Sequence, residues 1–150
     1  MEIKEYIKVY ENVFPLKFLS NIIRYLNVIE FDQGKIIGGV VSKEIRNTEI
    51  HPLSRLNTKM TDVHFSAVIQ FILTNVLKKY FKDLEIENNW DRIIDLAFLK
   101  YVEGGFYKWH TDHCAAIPRT LSAIFILNND YEGGELCFRN PDGSGEFSID

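Results

Sequence analysis

The stretch best equipped for chemistry is Tyr101-Val102-Glu103-Gly104-Gly105-Phe106-Tyr107-Lys108-Trp109-His110-Thr111-Asp112-His113, which closes on a His-x-Asp pair. On an extended backbone, residues two apart share one face, so His110 and Asp112 point together while Thr111 points away. One metal ion could then take an imidazole nitrogen and a carboxylate oxygen at once. That mixed pair suits iron(II) held by two histidines and one carboxylate, an arrangement that leaves open positions for small ligands. A zinc reading would use His110, Asp112, His113 and Cys114 together. Four ligands from so short a run would strain an extended backbone, and zinc sites usually draw on separated segments.

Placing such a pair requires a strand-rich frame, and the pattern after Trp90 supplies one. Strands are expected over residues 93–101, 107–112, 120–128 and 135–139, separated by Gly-Gly, Pro118, Asn-Asn-Asp and Asn-Pro-Asp-Gly turn signals. In 120–128 both faces are nearly apolar. Ser122, Ile124 and Ile126 share one, and Leu121, Ala123, Phe125 and Leu127 the other, as expected if one face packs on helices and the other lines a pocket. Upstream, Leu16, Leu19, Ile22, Ile23 and Leu26 have helical spacing over residues 15–27, with Pro15 suited to the first turn. A longer helix is expected from Thr61 or Asp62 to about Lys82, with Phe65, Val68, Ile69, Ile72, Val76, Leu77 and Tyr80 on its apolar face. Between them, residues 31–57 carry Gly34, Gly38 and Gly39 as breakers and read as an irregular hairpin.

The composition fits one folded domain over residues 1–150: 46% hydrophobic and 13% aromatic content is enough to bury a core. A net charge of -4 gives no basic footprint, so a nucleic acid is not the expected partner. The first residues, Met1-Glu2-Ile3-Lys4-Glu5, lack the apolar core of a secretory signal, and no uninterrupted apolar run reaches the length of a membrane span. A cytoplasmic protein without a membrane partner is the expectation. Cys114 and Cys137 have no Cys-x-x-Cys spacing and read as free thiols.

The ordered string of Tyr101 with its Gly-rich turn, Tyr107 three residues before His110, His110-x-Asp112, Arg119-Thr120-Leu121-Ser122-Ala123, Leu127-Asn128 and Asp130-Tyr131-Glu132-Gly133-Gly134-Glu135-Leu136 resembles the 2-oxoglutarate- and iron(II)-dependent dioxygenases. The resemblance is to the prolyl-4-hydroxylase-like branch, the PKHD-type hydroxylases in particular, and its specific part covers about residues 92–140. It implies an α+β protein with a double-stranded β-helix, or jelly-roll, core buttressed by N-terminal helices. It also implies Fe(II), 2-oxoglutarate as co-substrate, O2, and ascorbate as an accessory reductant. The reaction implied is hydroxylation of an unactivated C-H bond, with a prolyl residue of a protein or peptide, or a small molecule, as substrate. His110 and Asp112 match the first two metal ligands, and Tyr101 the tyrosine that hydrogen-bonds 2-oxoglutarate. Tyr107 is a further pocket candidate, and Ser122 stands where relatives have a small hydroxyl residue near the co-substrate. Ile124, Ile126 and Leu136 would shield the site from water.

Several positions also have a plainer reading. Tyr101 and Tyr107 could be strand aromatics, His51 and His64 are read as surface or helix residues, His113 as a rim residue, and Lys108 and Trp109 as lining the mouth, with the core an equal alternative for Trp109. Ile126 departs from relatives that place a tyrosine there. The gravest departure is that no histidine follows His113, although the family supplies a second histidine and then a basic side chain after the Gly-Gly-Glu hairpin. The expectation is therefore a domain whose last barrel strands and third metal ligand lie beyond Asp150. The competing class is a catalytically inactive or partner-completed jelly-roll fragment acting as a binding module.

Overall fold

The computed structural model describes residues 2–36, 38–53, 59–88, 90–115 and 118–149. Helix α1, Leu16–Leu26, begins directly after Pro15, whose carbonyl accepts from the Phe18 and Leu19 amides. Helix α2, Met60–Asp83, runs one residue beyond the expected span at each end. Both follow from apolar spacing that buries one stripe. Ile22 of α1 and Phe65 and Ile69 of α2 meet Phe14, Leu53 and Phe98 in one core cluster. By length and composition α2 is apolar enough to cross a bilayer, which qualifies the sequence expectation. It contributes Phe65 and Ile69 to the core cluster, with Asp62, Ser66, Leu73 and Phe81 also buried.

The strands are short and antiparallel. β1 (Asp32–Gln33), β3 (Glu49–Pro52) and β4 (Ala97–Lys100) form a sheet in the order β1-β3-β4, and β2 (Arg46–Asn47) pairs with β5 (Phe106–Tyr107). β6 (Leu136–Phe138) pairs with β7 (Phe147–Ile149) around a loop in which Asp142 accepts from both the amide and the hydroxyl of Ser144. The irregular hairpin expected over 31–57 is thus β1 paired with β3, with β2 leaving to join β5. Residues 54–57 of it, and Ile37, lie outside the described residues, as does Asp150.

Three strand expectations need correction. The ladder of β4 covers only the second half of 93–101, and β5 ends at Tyr107, so neither His110 nor Asp112 lies on a strand. Residues 120–128 have no ladder at all. Their alternation survives only at its end, where Phe125 stacks on Phe14 with ring centroids 4.8 Å apart and Leu127 packs on the same core, while Leu121 and Ala123 of the same expected face are exposed. Burial of alternate side chains was the legible part, while ladder formation needs a partner strand that a local pattern does not specify. Ile124 and Ile126 turn outward and are 56% and 60% exposed, so they do not line a closed pocket.

His51 is also corrected, from a surface residue to a buried one on β3. Its Nδ1 donates to the Glu30 carbonyl at 3.1 Å, and its Nε2 faces the fully buried Asp62 carboxylate at 3.0 Å. The Tyr25 hydroxyl donates to the same carboxylate oxygen. This network ties α1, β3 and α2 together, and burial followed by the Asp62 hydrogen bond raises the Tyr25 hydroxyl to about 12. His64 is exposed on α2, in keeping with its sequence reading.

Candidate metal centre

The β2-β5 pair delivers the chemistry-bearing segment. Asn47 lies opposite Phe106 and Arg46 opposite Tyr107, and the Lys108 amide adds one more bond to the Ile45 carbonyl. The turn before β5 has to be tight. The Gly105 amide bonds to Val102 O at 2.7 Å, and a Cβ on Gly105 would lie 2.8 Å from that oxygen and 3.1 Å from Asn47 O. Gly104 adopts φ +70°, a left-handed conformation that glycine takes without a steric penalty.

Beyond Tyr107 the chain leaves the ladder, and His110 bonds back to it. The Lys108 carbonyl can only accept, so His110 Nδ1, 2.7 Å away, carries the proton. In neutral imidazole the lone pair then resides on Nε2, which stands 3.4 Å from Asp112 Oδ1. Two electron-rich atoms facing each other at the surface are a pair that one cation could bridge. Two donors about 2.1 Å from one divalent ion at right angles lie about 3.0 Å apart, so the observed separation fits a shared ion after a shift of a few tenths of an ångström. The other Asp112 oxygen, Oδ2, accepts from the Ser122 hydroxyl. Both side chains therefore have one polar atom held by the protein while the other faces its neighbour, the kind of outer support that orients ligands in metal sites.

Arg119 braces the same loop. It donates to the Asp112 backbone carbonyl at 3.2 Å and pairs with Asp95, whose hydrogen bond raises the guanidinium above its already high value. The Arg119 carbonyl in turn accepts from His113 Nδ1 at 3.1 Å, so His113 is occupied at the exposed rim. Tyr107 stacks on His110 with ring centroids 3.6 Å apart and planes 19° from parallel. Tyr101, at 49% exposure, is open to solvent. What burial it has raises its hydroxyl above the usual value, with Arg46 pulling the other way and Tyr107 adding to the rise. Trp109 lies at the surface rather than in the core, with the Arg139 guanidinium 4.3 Å from its ring centroid.

The five sequence candidates fall into two groups. His110, Asp112, Tyr107 and Ser122 form one connected cluster, with Ser122 on the carboxylate. Tyr101 lies across the Gly-Gly turn and within electrostatic reach of Arg46 and Tyr107. Among the described residues no group of three or more His, Cys, Asp or Glu side chains could hold a metal, so the zinc set with His113 and Cys114 is not assembled there. Sequence reasoning missed the parts played by Arg46, Asp95 and Arg119. Arg119 stood inside the quoted motif, but its reach back to Asp95 is not encoded by spacing.

Comparison with known proteins adds one finding. Residues 96–150, somewhat over a third of the chain, match the model of the 2OG-Fe(II) oxygenase superfamily. The matched stretch contains Tyr101, Tyr107, His110, Asp112 and Ser122 and supports an oxygenase-type oxidoreductase that uses Fe(II), 2-oxoglutarate and O2. No curated protein and no solved structure shows significant similarity to the chain.

Proposed function

We propose that this protein is a 2-oxoglutarate- and iron(II)-dependent hydroxylase of the prolyl-4-hydroxylase-like type, built on a jelly-roll domain, with His110 and Asp112 as metal ligands. The observation that carries the reading is the apposition of His110 Nε2 and Asp112 Oδ1 at 3.4 Å, each held from behind, inside the stretch that matches the superfamily model. When bound, the metal would activate O2 so that 2-oxoglutarate is decarboxylated to succinate and CO2 while a substrate C-H becomes C-OH. The chain's own residues do the positioning. Lys108 O keeps the His110 proton on Nδ1 and the Nε2 lone pair free, and Ser122 engages Oδ2 so that Oδ1 faces the ion. Tyr101, half exposed beside the turn, is a hydroxyl donor suited to a carboxylate of 2-oxoglutarate.

The open surroundings favour a protein or peptide substrate, prolyl residues included, over an enclosed metabolite. His110, Asp112, Tyr101 and Trp109 are all exposed, with Ile124 and Ile126 offering apolar contact in the same half of the chain. A partner-completed binding module is the second reading, favoured by the lack of a third donor beside His110 and Asp112 among the described residues. Succinate release with Fe(II), ascorbate and 2-oxoglutarate tests the choice. The enzyme reading expects turnover that His110→Ala abolishes, and turnover equal in wild type and His110→Ala would refute it.

A further inference from the structure

Arg46 lies far from His110 in sequence and outside the stretch that matches the superfamily model, yet it stands in the same stack of side chains. Its Cα is the cross-strand partner of Tyr107, and its guanidinium carbon is 4.6 Å from the Tyr107 ring centroid. The imidazole of His110 stacks on that same ring at 3.6 Å, so Tyr107 is in contact with both side chains. Arg46 is itself anchored at two points. Nε donates to Thr48 Oγ1 at 3.0 Å and Nη1 to Lys35 O at 2.9 Å, and Thr48 is 2% exposed. The Thr48 carbonyl accepts from the Gly34 amide and the Gln33 side chain, so the anchor is part of the β1-β3 frame.

We infer that Arg46 is a positioning residue for the proposed metal-binding histidine, holding the Tyr107 ring so that Tyr107 in turn fixes the plane of the His110 ring. The inference rests on the proposed metal site and extends it to the N-terminal hairpin. His110 has two constraints, and they do different work. The bond from Nδ1 to Lys108 O fixes the tautomer but leaves the ring free to swing about that contact. The stack on Tyr107 removes the swing and keeps Nε2 directed at the position shared with Asp112 Oδ1. Tyr107 can do this only if its own ring is held, and β5 ends at that residue. The guanidinium provides the hold from its position 4.6 Å from the ring centroid, fixed by its bonds to Thr48 and Lys35, a two-point anchoring that a lysine ammonium does not reproduce.

The test has two readouts on the full chain. In the metal-free protein, NMR should show the His110 ring protons shifted upfield by the Tyr107 ring current. The shift should persist in Tyr107→Phe, vanish in Tyr107→Leu and shrink in both Arg46→Gln and Arg46→Lys. In Co(II) titrations followed by visible absorption, Tyr107→Leu and Arg46→Gln should lose about tenfold or more in affinity with an altered ligand-field spectrum. A purely structural role would lower thermal stability and leave affinity and spectrum of the folded fraction unchanged, which would overturn the inference. It would equally fall if Arg46→Gln kept the His110 ring shift intact. A wild-type chain that shows the stack but takes up no Co(II) would overturn the proposed metal site, and with it the purpose assigned to the clamp.

Discussion

Replacing Ser122 by alanine separates two roles for this hydroxyl that make opposite predictions. In the structure it donates to Asp112 Oδ2, on a carboxylate that is 44% exposed. A hydrogen bond to a charged group contributes about 1.5 to 3 kcal/mol when well shielded, and exposure at both partners places this one at the low end. Loss of an outer partner of a metal ligand costs about 10- to 100-fold in affinity, and the lower figure corresponds to about 1.4 kcal/mol. Ser122→Ala should therefore weaken Co(II) or Mn(II) binding by about tenfold with no 2-oxoglutarate present, because the carboxylate can then rotate and no longer offers Oδ1 alone. Isothermal titration of wild type and variant, with and without 2-oxoglutarate, measures it. Metal affinity unchanged without 2-oxoglutarate, combined with weaker 2-oxoglutarate binding, would refute the positioning role and favour direct contact with the co-substrate.

Two further outcomes are expected. Tyr101→Phe should leave the melting temperature unchanged, since the ring is retained, and raise the 2-oxoglutarate requirement by about tenfold or more through loss of one hydrogen bond to a carboxylate; steady-state kinetics read against a melting curve check both parts. For the buried network, the folded-state value of Tyr25 is raised from 10.0 to about 12, so its contribution to stability is fully present below pH 10 and is lost as pH rises toward 12. Stability should fall there with a slope of up to about 1.4 kcal/mol per pH unit from this group, and denaturant melts of Tyr25→Phe should show that part of the slope removed.

The sequence was most legible where one local pattern decides the outcome. The apolar spacing of Leu16, Leu19, Ile22, Ile23 and Leu26 specifies α1, and that of Phe65, Ile69 and their neighbours specifies α2, because a helix needs no partner to satisfy its backbone. The alternation around Phe125 identified the side that meets the core but not the ladder, since a strand exists only through another segment. His110 and Asp112 were readable as a pair, although the reason for their proximity is different. A strand was expected to align them; instead the chain bends after β5 and side-chain bonds to Lys108 O and Ser122 set the two donors. His51 was misread because its partners, Glu30, Tyr25 and Asp62, come from three separate segments. Arg46 was silent for the same reason, its meaning arising only when β2 is set against β5.

The central claim is that His110 and Asp112 take one metal ion together, and a Co(II) titration of the full chain, with His110→Ala, Asp112→Ala and the double variant alongside, tests it most directly. Two donors on one ion act as a unit, so each single variant should abolish the binding seen in wild type and the double variant should lose no more than either. Metal binding by His110→Ala at wild-type affinity, or additive losses from two independent sites, would contradict the account.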